Sequence, residues 1–432
     1  VLAVNVMLFN VLTSTYFLVL IGVLLILLGI TLLTQIAAKG KGIGGKIFCI
    51  LICIILGVGS FYIGKVNNAF QKITGSNKKT SSMVVAVKAD DNADTLSAAA
   101  GYTFGVQYAT GGDQTKSAVK QIEKELGQNI TLQEYSNLGE EAQALYDGEV
   151  DAIIYNSAYS NIIKEQYSTF TKDTKVIYKH NIVVEIESDT SDESVTKPFA
   201  VYLSGIDTNG DITEQGRSDV NIVAVVNPTS HQVLLITTPR DYYVPIPGVS
   251  GGQDDKLTHA GIYGVDVSMQ TLEELYDTDI EFFGRVNFTS MTSVVDALGG
   301  LDVESDLEFD TGWESGAEIH VNEGMNHFDG ISALAFCRER QALPDGDNGR
   351  GVHQQAVITA IIKKMMSPAM LRGASDIIES VSDGVDTNFT SSQIQSLIKT
   401  QLRTNAKWNI YSVAADGTGG TDICYSSGDE EL

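Results

Sequence analysis

Apolar residues are concentrated in two long runs near the N-terminus of the chain. Residues 15–37 and 47–64 contain no charged side chain, and a helix of about 20 apolar residues spans the hydrocarbon core of a bilayer. We therefore predict two transmembrane helices. The apolar residues 1–12 predict the remainder of an earlier, truncated span, and a cleaved signal peptide is the alternative interpretation.

The loop between the two predicted spans indicates their orientation. It contains Lys39, Lys41 and Lys46 and no acidic residue, and short loops rich in lysine stay on the cytoplasmic side of a membrane. The second span then leads outward. We expect a multi-pass protein of the cell membrane whose residues after about position 65 are extracytoplasmic.

Two soluble units are predicted after the spans. Residues 66–98 are polar and poor in aromatic residues, which favours a linker. In residues 99–196, strand patterns such as YTFGVQY and DAIIYN alternate with amphipathic helical patterns, as in a small α/β domain. We interpret this accessory domain as a spacer or docking module, and part of a solute-binding domain is the alternative. Residues 197–415 predict a second domain, and the acidic residues 416–432 predict a solvated tail.

Three apolar segments in the second domain predict neighbouring strands. They are PFAVYLSGID, DVNIVAVVN and QVLLITTPRD, with the turn sequence PTSH between the last two. In an antiparallel hairpin around this turn, Asp219 and Arg240 must lie side by side. Arg217 precedes Asp219 by two residues and Asp207 ends the first strand. One end of the sheet is therefore predicted to gather Arg217, Asp219 and Arg240, and Asp207 joins them if the first strand pairs in the right direction.

This mixture of side chains suits phosphate chemistry. Paired carboxylates such as those of Asp207 and Asp219 bind Mg²⁺ and leave positions for water and phosphate. Arginines hold phosphate oxygens through paired hydrogen bonds. The alternative interpretation is a set of surface salt bridges at strand ends.

A second polar cluster lies much further along the chain. The segment CRERQALPDGDNGRGVHQQ supplies Arg338, Arg340, Asp347, Arg350 and Gln354. Its second half predicts a helix from about position 349, on which Arg350 and Gln354 share one face. The N-terminus of that helix would add backbone amides that favour an anion.

The same helical stripe continues into Ile358, Ile361 and Met365. A polar end followed by an apolar end would suit an amphiphile with a phosphorylated head, and the alternative is that the three apolar residues belong to the core. His259 and His353 are candidate acid–base groups, although a polar structural role is the better interpretation of each lone histidine.

Composition narrows the classes of ligand. The chain carries 54 acidic and 29 basic residues and a formal net charge of −25, which excludes nucleic acid as an expected partner because phosphate backbones require a basic surface. The four cysteines show no metal-binding spacing. Cys49 and Cys53 lie in the second predicted span, and a disulfide between Cys337 and Cys424 is left open.

Several of these segments, in this order, resemble the LytR–CpsA–Psr family. The resemblance covers roughly residues 200–370 and is carried by RSDVNIVAVVNPTSHQVLLITTPRDYYVPIP, DKLTHAGIYG, VVDALGGLDV, GMNHFDGISALAFCRER and DGDNGRGVHQQ. Several spans followed by an extra domain are most similar to members that act in capsule biosynthesis. The family implies an α/β fold, an α/β/α sandwich with a mixed central sheet and a long apolar pocket for a polyprenyl chain.

The resemblance also implies roles for individual residues. Pyrophosphate would be bound by a set of basic and amide side chains, which are Arg217, Arg240, Arg338, Arg340, Arg350 and Gln354. The cofactor would be Mg²⁺, held by Asp207 and Asp219. Asp347 would orient the arginines or act as a base, so that the catalytic set is Asp347 with Arg240, Arg338 and Arg340. The lipid pocket would include Ile358, Ile361 and Met365.

The implied reaction is phosphotransfer of a polyprenyl-pyrophosphate-linked glycan onto peptidoglycan. Capsular polysaccharide is favoured as the glycan over a teichoic-acid-type polymer, and capsule-assembly proteins are expected as further partners. Two alternatives use the same residues. One is a pyrophosphatase that transfers to water, and the other is a non-enzymatic sensor or regulator that binds the lipid-linked glycan. The presence of every implied arginine and carboxylate favours the enzyme.

Overall fold

The structure is a computed structural model that describes most of the chain. The described residues are 14–37, 43–74, 78–109, 111–185, 194–206, 212, 215–344, 346–365 and 384–431. The apolar residues 1–12, which predicted an earlier span, lie outside this part of the chain.

Two long helices begin the described chain, α1 (Ser14–Ala37) and α2 (Ile43–Thr74). The segments Phe17–Ala37 and Ile43–Phe61 are long and apolar enough to cross a membrane, with mean hydropathy of 2.9 and 2.2. Almost none of either segment is buried inside the protein, unlike the core helix of a soluble domain. The two helices therefore indicate a membrane anchor.

The accessory domain is built on a five-stranded sheet. Its elements are β1 (Lys78–Lys88), β2 (Thr103–Gln107), α3 (Gly112–Leu126), β3 (Thr131–Tyr135), α4 (Leu138–Asp147), β4 (Ala152–Asn156), α5 (Ser160–Gln166), α6 (Phe170–Asp173) and β5 (Thr174–Glu185). The strand order is β3-β2-β4-β1-β5, with β2 parallel to both of its neighbours and β1 antiparallel to both of its own. The predicted alternation of strands and helices in this domain is confirmed.

The linker predicted for residues 66–98 is wrong in both halves. Helix α2 continues to Thr74, and β1 lies between β4 and β5 in the interior of the accessory sheet. The apolar run MVVAV of β1 is buried on both faces, because Val84 and Ala86 pack in one core cluster while Met83 and Val85 pack in another. A short continuous apolar run is typical of a strand covered on both sides, but the polar KKTSS before it concealed the strand.

The second domain follows after residue 194. Its first elements are β6 (Phe199–Ile206), β7 (Ser218–Asn227), β8 (Gln232–Thr237), β9 (Tyr243–Pro245), β10 (Asp254–Lys256), α7 (Leu257–Tyr263), α8 (Val265–Tyr276), β11 (Phe282–Asn287) and α9 (Phe288–Ala297). The remaining elements are β12 (Leu301–Ser305), β13 (Phe309–Asp310), β14 (His320–Val321), β15 (Gly324–Phe328), α10 (Gly330–Arg338), α11 (Gly346–Met365), β16 (Val385–Thr387), α12 (Ser391–Thr404), β17 (Asn409–Ala414), β18 (Thr421–Cys424) and β19 (Gly428–Glu431).

The central sheet of the second domain is mixed. Its order is β16-β11-β6-β7-β8-β17. The β11–β6 and β8–β17 pairs are parallel, and the other three pairs are antiparallel. The predicted hairpin of the second and third strands is the β7–β8 pair.

Helices cover both faces of this sheet. On one face, Leu257 of α7 and Leu272 of α8 pack against Tyr202. On the other face, Ile358 of α11 and Leu397 of α12 pack in a separate cluster around strand residues of β6, β7 and β8. The expected α/β/α sandwich with a mixed central sheet is therefore confirmed.

The solvated tail predicted for residues 416–432 is also wrong. Strands β18 and β19 form an antiparallel hairpin, and the Tyr425 amide donates to the Asp254 carbonyl over 3.1 Å. The Tyr425 hydroxyl donates to the Ala109 carbonyl of the accessory domain over 3.2 Å, so the hairpin ties the two domains together. Cys424 lies in this hairpin and Cys337 in a core cluster of the second domain, and no disulfide joins the two sulfurs.

A buried ion pair lies near one edge of the central sheet. Arg285 of β11 and Asp386 of β16 are paired in register, and Arg285 Nη2 lies 2.5 Å from Asp386 Oδ2. Only 4% and 1% of the two side chains are exposed. Loss of one partner of such a pair leaves a buried charge without compensation, which is far more costly than loss of an exposed pair.

We predict that Asp386→Ala lowers the free energy of unfolding by about 3–5 kcal/mol, because the Arg285 guanidinium then stays buried without its carboxylate. Denaturant unfolding of the detergent-solubilised chain measures this. The control is Asp310→Ala, which removes an ion pair with His320 whose aspartate side chain is 81% exposed. Similar losses in the two variants would contradict the interpretation.

Candidate functional site

The end of the β7–β8 hairpin brings together the first two predicted site residues. The strands pair with Ile222 opposite Thr237, and the same register continued outward sets Asp219 opposite Arg240. Arg240 Nη1 lies 3.2 Å from Asp219 Oδ1, and 18% of each side chain is exposed. The predicted contact between Asp219 and Arg240 is confirmed.

Helix α7 begins directly beside this ion pair. The Thr258 hydroxyl donates to Asp219 Oδ1 over 3.3 Å, and the Thr258 amide donates to the Arg240 carbonyl over 2.8 Å. One residue of α7 therefore binds both members of the pair. The motif DKLTHAGIYG contained this threonine, but sequence reasoning singled out only the histidine that follows it.

A second carboxylate restrains Arg240 from the other side. Arg240 Nε lies 3.4 Å from Asp241 Oδ2, and Lys256 Nζ lies 3.8 Å from Asp241 Oδ1. Lys256 is buried and lies just before α7. The guanidinium of Arg240 is thus held between two carboxylates, so its position does not depend on a bound ligand.

Two further arginines act on Asp219. Burial alone would raise the pKa of this carboxyl, but the charges of Arg240, Arg217 and Arg350 outweigh burial and hold the pKa below its usual range. Asp219 is therefore ionised at neutral pH. Because the folded pKa is depressed, the stability gained from this ionisation is present above the usual aspartate pKa and is lost as the pH falls through the folded value.

Helix α11 packs closely against the end of the β7–β8 hairpin and carries Arg350 there. A Cβ atom added to Gly351 would lie only 3.2 Å from Thr237 Cγ2 at the end of β8. Further along the helix, Gln355 Nε2 donates to the Val413 carbonyl of β17 over 2.6 Å. Arg350, which is 8% exposed, therefore comes from a distant segment to the same carboxylate as Arg217 and Arg240.

The other predicted residues of α11 have packing contacts. Gln354 is buried, and its amide lies 3.5 Å from the Cys337 carbonyl at the end of α10. Ile358 packs in the cluster of the central sheet, and Ile361 packs in a separate cluster with residues of α9 and α10. Met365 is exposed. Ile358 and Ile361 therefore lie at the interfaces of α11 with its neighbours, while Met365 faces solvent.

Arg338 and Arg340 flank a buried glutamate, Glu339. Glu339 accepts hydrogen bonds from the Gly312 amide over 2.8 Å and the Ser315 hydroxyl over 2.9 Å. It also accepts from the amides of Arg340 and Ala342 over 3.0 and 2.9 Å. Burial would raise the pKa of Glu339, but these hydrogen bonds lower it. Glu339 thus fixes the end of α10, which carries Arg338, and the loop after it, which carries Arg340. Sequence reasoning missed this role.

Two predicted acids lie wholly or partly outside the described part of the chain. Asp207 lies outside the described residues. Strand β6 ends at Ile206, whose partner in β7 is Ser218, the residue before Asp219. Asp347 lies in the first turn of α11, and its side chain is likewise outside the described part.

The two candidate histidines have structural surroundings. His259 is fully buried, with its Nδ1 atom 2.6 Å from Asp255 Oδ1 and 2.9 Å from the Ser426 hydroxyl. His353 stacks on Phe336 at 3.9 Å between ring centroids, and burial lowers its pKa. Both histidines therefore hold packed segments in place, as the preferred interpretation of the sequence had it.

Comparison with known proteins shows which family the chain belongs to. The model of the LytR_cpsA_psr family matches residues 153–430, which is more than half of the chain. The chain belongs to the LytR–CpsA–Psr family. The match begins inside the accessory domain and includes every predicted site residue, together with the C-terminal hairpin that was expected to be a solvated tail.

Several relatives of this LytR–CpsA–Psr chain carry the name of a transferase. The chain is 34% identical over 253 residues to the polyisoprenyl-teichoic acid–peptidoglycan teichoic acid transferase TagU of Bacillus cereus strain AH820, covering 58% of this chain and 77% of that protein. It is 36% identical to the protein of the same name from Enterococcus faecalis strain V583, covering 46% and 65%. The crystal structure of B. subtilis TagV matches with 27% identity and a TM-score of 0.46, covering 52% and 87%.

We predict that Arg240→Met raises the pKa of Asp219, because the variant removes the nearest cation while the carboxyl stays largely buried. Carboxyl ¹³C NMR of aspartate-labelled protein in EDTA measures the titration, with Asp219→Asn used for assignment. Arg340→Met is the control, because Arg340 is exposed on the separate loop and should leave the titration unchanged. An unchanged pKa in Arg240→Met would show that the ion pair is not formed in solution.

Proposed function

We propose that this protein is a membrane-anchored, Mg²⁺-dependent phosphotransferase that moves a glycan from a polyprenyl-pyrophosphate carrier onto peptidoglycan. The observation that carries the proposal is that Arg240 contacts the largely buried Asp219 carboxylate while the charges of Arg217 and Arg350 act on the same group, in a chain of net charge −25. Family membership and the activity stated in the names of the relatives support the same class of reaction.

The arginines bind and orient the donor. A guanidinium holds two phosphate oxygens through parallel hydrogen bonds, and we assign Arg217, Arg240 and Arg350 to the pyrophosphate. We assign Arg338, at the end of α10, and Arg340, in the loop fixed by Glu339, to the same pyrophosphate. Holding the donor in place before the acceptor arrives removes much of the entropic cost of reaction.

The acids fit Mg²⁺ by their chemistry. Asp219 is ionised and lies at a strand end beside the cations that would bind phosphate, and Asp207 is the second proposed ligand. Within the described residues, no three acidic, histidine or cysteine side chains form a complete metal site. Two carboxylates would leave the other positions to water and phosphate, as Mg²⁺ prefers. Bound Mg²⁺ would neutralise charge on the phosphate oxygens.

The proposed step is a displacement at phosphorus. A hydroxyl of a wall sugar attacks the phosphorus next to the glycan and forms a new P–O bond. The bond from that phosphorus to the bridging oxygen breaks, and polyprenyl phosphate leaves with the electron pair. We assign Asp347, in the first turn of α11, as the acceptor of the hydroxyl proton. The arginines stabilise the charge that grows on the leaving phosphate.

The anchor matches the location of such a donor. Helices α1 and α2 are proposed to cross the membrane twice, with the lysine-rich loop in the cytoplasm. Both soluble domains would then lie at the outer face of the membrane, where a lipid-linked glycan and peptidoglycan are accessible. The apolar residues Ile358 and Ile361 are proposed to approach the polyprenyl chain along α11.

We propose capsular polysaccharide as the transferred glycan, because two spans followed by an accessory domain resemble the capsule-associated members of the family. Capsule-assembly proteins are then expected partners. The names of the relatives favour teichoic acid as the second candidate. The two candidate functions differ only in which lipid-linked glycan serves as the donor, so one transfer assay with each donor distinguishes them.

We predict that the full chain in detergent, given lipid-pyrophosphate glycan, Mg²⁺ and peptidoglycan fragments, forms a glycan–peptidoglycan phosphodiester that mass spectrometry detects. Arg240→Ala and Asp219→Asn should each lower the rate about 10²- to 10³-fold, as loss of one preorganised electrostatic group does. Arg403→Ala removes an exposed arginine at the end of α12 and should retain the wild-type rate.

Other products would decide between the alternatives. Free glycan phosphate without wall attachment would identify a pyrophosphatase, and donor binding without turnover would identify a sensor. Wild-type rates in the Arg240→Ala variant would contradict the proposed site.

A further inference from the structure

The residue before Gly216 and Arg217 is fixed to the accessory domain. Gln215 is 7% exposed, and its side-chain oxygen accepts hydrogen bonds from the Ser81 hydroxyl over 2.5 Å and from Asn156 Nδ2 over 3.3 Å. Its backbone amide donates to the Thr80 carbonyl over 3.3 Å. Gln215 therefore reaches out of the second domain and is held at three points by the first.

These partners belong to the rigid interior of the accessory sheet. Thr80 and Ser81 lie in β1 and Asn156 ends β4, and the two strands are hydrogen-bonded neighbours with Met83 opposite Asn156. Ser81 and Asn156 are both buried. The contact is thus made to a packed sheet, and its position is set by the fold of the whole accessory domain.

On its other side, the segment around Arg217 contacts helix α7. A Cβ atom added to Gly261 would lie 2.7 Å from the Gly216 carbonyl oxygen and 2.7 Å from the Ser218 amide, so only glycine allows this approach. The Ser218 hydroxyl lies 2.8 Å from the Tyr202 hydroxyl and 2.7 Å from that of Ser204. Arg217 therefore lies between Gln215 and Ser218, which are both buried and hydrogen-bonded.

Helix α7 also packs on the accessory domain. Ala260, Ile262 and Tyr263 share one apolar cluster with accessory residues such as Tyr159, and the rings of Tyr159 and Tyr263 lie 6.1 Å apart. The same helix supplies Thr258 to the Asp219–Arg240 pair. The accessory domain thus contacts both elements that border Arg217 and Asp219.

We propose that the accessory domain is a positioning element of the active site, in which Ser81 and Asn156 hold Gln215 so that Arg217 is fixed at the pyrophosphate. Gln215 is a positioning residue, since it acts through Arg217. The proposal rests on the function proposed above for this site, and it gives the accessory domain a role in donor affinity.

The physical basis is preorganisation of a long, flexible side chain. An arginine that is already in place loses less conformational entropy when it binds phosphate. Removal of the Gln215 oxygen leaves two buried donors without their acceptor, which favours release of the segment from the sheet. Donor affinity should therefore fall even though every phosphate-binding residue is retained.

The test measures binding of farnesyl pyrophosphate to the full chain in detergent by calorimetry, with Mg²⁺ present. Gln215→Leu, which keeps the volume but removes the acceptor, should weaken binding about tenfold. Ser81→Ala, which removes one donor from the accessory side, should weaken binding in the same direction. Tyr425→Phe, which breaks a different contact between the domains, should bind like wild type.

A second comparison separates positioning from general loss of structure. In an Arg217→Met background, Gln215→Leu should cause little further loss, because the side chain it positions is gone. An equal tenfold loss in that background, or unchanged binding in Gln215→Leu, would overturn the proposal while leaving the proposed function intact. If wild type binds farnesyl pyrophosphate and the variants behave as predicted but no glycan is transferred, only the proposed phosphotransferase activity is contradicted. If wild type does not bind farnesyl pyrophosphate, both the proposed function and the positioning role are overturned.

Discussion

The antiparallel register of β7 and β8 is the constraint on which the site depends. With Ile222 opposite Thr237, Asp219 and Arg240 can only emerge side by side at the open end of the hairpin. Their ion pair, together with Arg217 and Arg350, keeps a largely buried carboxylate charged against the cost of burial. In the proposed function, this local positive charge within an acidic protein holds an anionic ligand with several phosphate oxygens.

The surrounding architecture brings three separate parts of the chain to that point. Helix α11 approaches the end of β8 closely at Gly351 and brings Arg350. Helix α7 binds both members of the ion pair through Thr258, and the accessory sheet holds the segment before Arg217 through Gln215. The domains of this protein therefore meet at its site, and the C-terminal hairpin strengthens their contact. The two apolar helices α1 and α2 indicate that the assembly is anchored at a membrane.

The sequence predicted those features that depend on local patterns or on the register of a single strand pair. The hairpin follows from two apolar runs and a turn, and the pairing of Asp219 with Arg240 follows from counting outward from that turn. The approach of Arg350 could not be derived from the residues alone, because it depends on how α11 packs across the sheet. Strand β1 was missed because its polar half hides an apolar run, and the acidic GDEEL hid β19. The role of Gln215 could not be predicted, because it is a single glutamine in a polar connection and its role depends on its hydrogen bonds with Ser81 and Asn156 in the folded protein.

The central claim is that cations from distant segments act on one ligand, and a double-mutant cycle tests this most directly. Affinity for farnesyl pyrophosphate is measured for wild type, Arg217→Met, Arg350→Met and the double variant. Residues that share a ligand couple by about 0.5–3 kcal/mol, whereas distant and independent residues are additive within about 0.3–0.5 kcal/mol. The account predicts clear coupling between Arg217 and Arg350. Strict additivity would show that the two arginines do not meet at a common site.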